Sequence, residues 1–172
     1  MIRRLRLKFT LLLMGSLFAL FTVIVTSMNV INYCAVVNEA DQTLELLVRN
    51  EGKFPDPGAD KGTRPPRNMT PELPYESRYF SVLLDSDGNI LRTDTSRISA
   101  VDDETAIEYA FSALNSGAER GFAGQYRYMC AEENGGRRIV FLDCGRSLDA
   151  FRQFLYTSLI VALAGFVIVS LL

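Results

Sequence analysis

Charged residues are absent from two long stretches of this chain, residues 9–38 and residues 153–172. Inside the first, residues 9–31 form a run of 23 mostly apolar positions. As a helix it is long enough to cross a hydrocarbon core of about 30 Å. Its polar members (Thr10, Ser16, Thr22, Thr26, Ser27 and Asn29) are hydroxyls and one amide, which can bond to the helix backbone or to a partner helix. The second run, residues 155–172, has 18 positions, near the lower limit of about 17–25 for a span. The pattern predicts two transmembrane helices, 9–31 and 155–172, enclosing one domain at 32–154. A buried core helix would need a larger domain around it than this one. A cleaved signal peptide is the rival reading of the first run. That run exceeds the roughly 7–15 residues of a signal h-region, and Thr26-Ser27-Met28-Asn29 is a poor cleavage site. Tyr33 before Cys34 also departs from a lipoprotein site.

Between the apolar runs the periodicity changes several times. Val36, Val37, Ala40, Leu44, Leu47 and Val48 recur at helical spacing, with Asn38, Glu39, Asp41, Gln42, Glu45 and Arg49 on the other face. The first span is therefore expected to continue into an outer helix ending near Gly52. Residues 53–74 hold all six prolines and read as an irregular, mobile loop, taken here as 53–76. Residues 78–85 read as a strand, Ser86-Asp87-Gly88-Asn89 as a turn, and 90–94 as a second strand. Asp102 is a natural N-cap for a helix carrying Ala106, Ile107, Ala110, Phe111 and Leu114 and ending before Gly117. Residues 124–132 read as a third strand, Asn134-Gly135-Gly136 as a tight turn, and 138–144 as a fourth strand. Residues 146–153 resume helical character and lead into the second span. The predicted class is α+β, a small antiparallel sheet backed by helices and flanked by two transmembrane helices.

The charge distribution adds orientation. All 20 acidic residues lie between the apolar runs with 14 of the 18 basic ones, a net of −6 for the middle. The other four, Arg3, Arg4, Arg6 and Lys8, make residues 1–8 a basic tip. By the positive-inside rule that tip is cytoplasmic, and residues 32–154 lie outside. A negative middle without a basic stripe argues against a nucleic-acid partner. The second run stops at Leu172 without a basic flank, so the sequence is expected to be cut short there.

Chemistry is sparse. The chain has no histidine, which removes Ser-His-Asp and Cys-His catalysis and most zinc sites. No phosphate-binding glycine motif and no recognisable carboxylate pair is present, so no catalytic, cofactor or metal residue is assigned. Asp85-x-Asp87-x-Asn89 hints at a calcium loop, but the glycine falls at the fourth place and Ser96 at the twelfth, where a Glu is required; a hairpin turn is the better reading. Centring the last turn on Gly135-Gly136 puts Cys130 opposite Phe141 and Cys144 opposite Arg127. The two thiols then face opposite ways, which favours free thiols over a bridge. Cys34, at the membrane boundary, could pair with its own copy in a dimer. Arg78, Tyr126, Arg127 and Tyr128 are the candidate ligand-binding residues, offering charge and aromatic surface to a small anion; packing is the commoner role for such aromatics.

Several pieces together carry a resemblance. They are Arg78-Tyr79-Phe80-Ser81-Val82-Leu83-Leu84-Asp85, the helix with Asp103-Glu104 and Ala106-Ile107-Glu108-Tyr109-Ala110, Gly121-Phe122 with Tyr126-Arg127-Tyr128, and Ile139-Val140-Phe141-Leu142-Asp143-Cys144 leading into a span. In this order the chain resembles the N-terminal sensor regions of sensor histidine kinases from Firmicutes-type bacteria. The resemblance implies a PAS-like (Cache-type) outer domain, a homodimer in the plasma membrane, and signalling to a cytoplasmic kinase with a cognate response regulator. ATP and magnesium are implied only for that kinase core, whose acceptor histidine and glycine boxes are not in residues 1–172. Small-residue pairs Gly15/Ala19 and Ser158/Ala162 offer weak dimer faces. The alternatives are a complete two-span membrane protein regulating a larger complex, or the sensor region of a chemoreceptor or cyclic-dinucleotide enzyme. An extracytoplasmic enzyme is the weakest reading.

Overall fold

A computed structural model describes residues 2–55, 70, 72–133 and 135–171. The chain divides into two compact units, residues 1–36 with 147–172, and residues 37–146. Helix α1 (Ile2–Arg49) and helix α4 (Gly145–Leu171) each have residues in both. The basic tip, from Ile2 on, is thus part of α1 rather than a separate segment.

In the first unit both helices are long and apolar enough to cross a membrane. Their side chains are largely exposed, as with Leu12, Ile31, Val161 and Leu163.

The second unit is built on five antiparallel strands: β1 (Tyr79–Leu84), β2 (Ile90–Asp94), β3 (Arg120–Ala123), β4 (Tyr126–Glu133) and β5 (Gly136–Asp143). Their order across the sheet is β2-β1-β5-β4-β3. Helix α3 (Asp103–Ser116) joins the two halves, and a single turn, α2 (Leu73–Glu76), precedes β1. Of the loop expected at 53–76, residues 56–69 and 71 lie outside the described residues.

Local chemistry sets the element ends. Asp85 accepts from the backbone N–H of Asp87 at 2.9 Å and of Asn89 at 2.8 Å, folding the β1–β2 turn. Asp102 caps α3 by accepting from Thr105 N at 2.9 Å, and Gly117 closes the helix in the left-handed conformation at φ 67°. α1 stops where Gly52, at φ 79°, donates back to the Leu47 carbonyl at 2.9 Å.

Two expectations are corrected. Strand β3 was not anticipated; it lies where Gly121-Phe122 stand, paired with Tyr128 and Arg127 of β4. The last hairpin turns one residue earlier than expected, because Gly136 belongs to β5 and pairs with Glu133. Cys130 therefore faces Ile139, and Leu142, not Cys144, faces Arg127. A shift of two in the pairing leaves the faces unchanged.

One sheet face packs on α3. Phe80, Val82 and Leu84 of β1, Ile139 and Phe141 of β5, and Tyr126 and Tyr128 of β4 form one core with Ala106, Ala110 and Ala113. The alanines let α3 approach closely, and Phe80 stacks on Phe141 at 4.6 Å with planes 7° apart. Ala40, Thr43, Leu44 and Leu47 of α1 are buried too, and the ion pairs described next tie that stretch to the sheet.

Candidate functional site

The four residues singled out from sequence do not share a surface. Consecutive strand residues point to opposite faces, and Tyr126-Arg127-Tyr128 obeys this. Tyr126 is buried edge-on to Phe80 and Tyr109 at 5.3 and 4.9 Å. Burial, helped by the nearby Asp143 carboxylate, pushes its phenol above the usual range. Tyr128 is buried with its hydroxyl 2.6 Å from that of Ser116 on α3. Both tyrosines serve the core.

Arg127 turns to the other face. Its Nε donates to Asp41 Oδ1 at 2.8 Å and its Nη2 to Asp41 Oδ2 at 3.0 Å, a two-pronged bond to α1. The guanidinium also lies 4.9 Å over the Phe122 ring. Their side chains are only 13% and 20% exposed. One helical turn further along α1, Glu45 pairs with Arg120 at 3.2 Å, but there both side chains are nearly half exposed. The polar face of α1 therefore holds two sheet contacts.

Arg78 pairs with Asp143 at 2.8 Å, where the carboxylate is 2% exposed. Asp143 also accepts from Gln125 Nε2 at 3.1 Å and from Gly145 N at 2.8 Å. One buried carboxylate thus joins the start of β1, the β3–β4 turn and the first residue of α4. Helix α1 is clamped to the sheet by the Asp41–Arg127 pair, and the first residue of α4, Gly145, donates to the Asp143 carboxylate that also pairs with Arg78. Sequence reasoning singled out the two arginines as candidate site residues but neither aspartate as their partner. No local signal marks those pairings, because they join residues 86 and 65 positions apart.

Two cavities open beside the hairpin ends. One, of about 680 Å³, is lined by Leu84, Asp85, Asp87, Leu114, Glu132 and Arg137 among others. Another, of about 350 Å³, shares Leu114, Glu132 and Arg137 and reaches Cys130 and Glu119. Asp85 is committed to its own turn; the Asn89 and Asp87 groups it accepts from hold its carboxyl below the ordinary range. Burial pushes the Cys130 thiol up, so it stays protonated near neutral pH and is a poor nucleophile. The Cys144 thiol is pushed up by burial as well, in the neighbourhood of Arg127 and Asp41, whereas Cys130 packs on the α3 side. All three cysteines are free. The cavity lining offers carboxylates and one guanidinium. Among the described residues no group of three or more Cys, Asp or Glu is placed to hold a metal ion.

The molecule is thus a mixed helix-and-sheet domain carried between two long apolar helices. No protein-family model, curated protein or solved structure matches the chain.

Proposed function

We propose that the chain is the extracytoplasmic sensing and transmembrane signalling module of a two-component sensor histidine kinase. In this reading α1 and α4 cross the plasma membrane, the basic tip is cytoplasmic, and the sheet domain lies outside as a PAS-like sensor. The five-stranded antiparallel sheet with a helix joining its halves supports the PAS-like part. Two copies associate through the membrane, and the kinase core and its response regulator follow on the cytoplasmic side.

The observation that carries the reading is the pair of clamps. A mere anchor needs no tie between a span and a folded domain. Here α1 continues as helix to a two-pronged Asp41–Arg127 bond, and α4 starts on the Asp143 carboxylate. A ligand in the cavity at the hairpin ends would act on the same strands, β1, β4 and β5, that hold these clamps. A small shift of the sheet would then bias two arrangements of the helices.

The test joins residues 1–172 in frame to a histidine kinase core and measures autophosphorylation in membrane vesicles. Asp143→Asn, Asp41→Asn and Arg137→Ala are expected to change basal or ligand-dependent output measured per amount of folded protein. Output indifferent to all three would count against a signalling role.

A further inference from the structure

Within the apolar unit, α1 and α4 run antiparallel, as three contacts between them show. Phe18 meets Phe166 with ring centroids 5.2 Å apart, and Tyr33 meets Phe151 at 5.6 Å. Between these lies a polar contact, in which Asn29 Nδ2 donates to Ser158 Oγ at 3.2 Å. On α4 the half-buried residues Leu148, Phe151, Leu155, Ser158, Ala162 and Gly165 recur in alternating steps of three and four, with Phe154 half-buried beside Leu155. That is the repeat of a helix laid along a neighbour in a left-handed pair. Ser158 sits in the middle of that seam.

The amide of Asn29 is not free to satisfy itself. Its Nδ2 also donates to the Val25 carbonyl at 2.8 Å, which fixes which end of the amide is nitrogen. Ser158 Oγ in turn donates to the Leu155 carbonyl at 2.9 Å, so its single hydrogen is used. Asn29 Oδ1 is enclosed and has no partner, alone in this respect among the side-chain oxygens and nitrogens of the described residues. Leucine at this position would fill the seam without an unpaired acceptor. An asparagine in such a seam lowers stability and in exchange fixes the register of the helices.

We propose that Asn29 and Ser158 form a register lock between the two helices, holding one axial alignment while leaving it weak enough to be shifted. A one-turn slide, about 5.4 Å, would carry Leu155 or Ala162 opposite Asn29 and break the bond. The unpaired Oδ1 raises the energy of the locked state, so the alternative alignment lies close above it. The proposal deepens the signalling reading and rests on α1 and α4 crossing a membrane. It gives the output helix two discrete positions for the sheet clamps to choose between.

The test uses disulfide cross-linking of the full chain in membranes, with Cys34 replaced by serine. One cysteine pair, Phe18→Cys with Phe166→Cys, reports the observed register. Two others, Phe18→Cys with Ala162→Cys and Thr22→Cys with Phe166→Cys, report a one-turn slide. With Asn29 and Ser158 intact, the first pair is expected to form at least about threefold faster than the others, the preference an average interhelical hydrogen bond supports in a bilayer. Asn29→Leu and Ser158→Ala should each bring the three rates near parity, and Ser158→Thr, which keeps the hydroxyl, should restore the preference. The melting temperature adds a reading that loss of packing alone would not give. Asn29→Leu should hold or raise it, whereas Ser158→Ala should lower it by leaving Asn29 with a second unmet group. Unchanged ratios in Asn29→Leu and Ser158→Ala would overturn the lock, as would a lowered melting temperature in Asn29→Leu. Impermeant labelling of the sheet domain tests the membrane reading separately, so the two can fail independently.

Discussion

Asp41→Ala removes the carboxylate that receives both prongs of Arg127, a side chain 13% exposed while the pair is intact. Hydrogen bonds to charged groups contribute about 1.5–3 kcal/mol each when buried, and breaking a fully buried pair costs about 3–5 kcal/mol. This pair is four-fifths buried, and water reaches Arg127 once Asp41 is gone, so the expected loss is about 2 kcal/mol. The matched comparison is Glu45→Ala, which breaks the pair with Arg120 where both side chains are nearly half exposed. Solvent screening there leaves about 0.5 kcal/mol or less. The sheet domain has no tryptophan, so unfolding in detergent is best followed by near-ultraviolet circular dichroism of the tyrosines and by hydrogen exchange of β4 amides. A double-mutant cycle with Arg127→Met isolates the pair from the rest of each side chain. The account expects a coupling of about 1.5 kcal/mol or more for Asp41–Arg127 and near zero for Glu45–Arg120. Equal couplings, or a double variant as unstable as the sum of its singles, would refute the claim that the first pair clamps α1.

Other perturbations follow from the packing and the caps. Gly136→Ala would place a methyl 2.1 Å from the Leu84 carbonyl oxygen, so the hairpin must move off β1, at an expected cost of about 3 kcal/mol by chemical denaturation. Gly88→Ala meets open space and should cost only the left-handed strain, about 1 kcal/mol; similar losses at the two positions would contradict the close approach. Phe141→Ala removes the ring stacked on Phe80 and should lower stability by about 4 kcal/mol, with loss of near-ultraviolet signal as the check. Asp102 and Glu133 have carboxyls held below their ordinary range, Asp102 by the Thr105 bond and Glu133 by the Arg138 bond. Since the folded values lie below the unfolded ones, their contributions are full at neutral pH and fade as pH falls through the depressed values. Protection of the first-turn amides of α3, taken relative to their intrinsic exchange rate at each pH, should therefore fall on acidification below the carboxylate range, and unchanged protection there would argue against the Asp102 cap.

Much of the sheet domain was legible because its punctuation is local. Asp85 to Asn89 folds its own turn, and Asp102 and Gly117 bracket α3 within single turns of chain, so β1, β2 and α3 fall where composition placed them. Strand β3 escaped because four residues with a glycine and an exposed arginine carry no alternation; its existence depends on pairing with β4. The last turn was misplaced because a Gly-Gly pair looks like the natural hinge. Gly136 is a glycine for a different reason, the approach of Leu84, which no local pattern reveals. The candidate ligand residues dispersed for a reason already in the sequence: three neighbours on one strand cannot share a face. Asp41 and Asp143 were illegible as partners because an ion pair across distant segments leaves no spacing to read.

The central claim is that two helices cross a membrane with the sheet domain on the outer side. Single cysteines at Lys8→Cys on the basic tip and at Ser112→Cys on the exposed face of α3, each in a chain with Cys34→Ser, Cys130→Ala and Cys144→Ala, allow a direct measurement in intact bacterial cells with a membrane-impermeant maleimide. The account predicts that Ser112→Cys is labelled in intact cells and Lys8→Cys only after the inner membrane is permeabilised. Labelling of Lys8→Cys in intact cells, or protection of Ser112→Cys until permeabilisation, would contradict it.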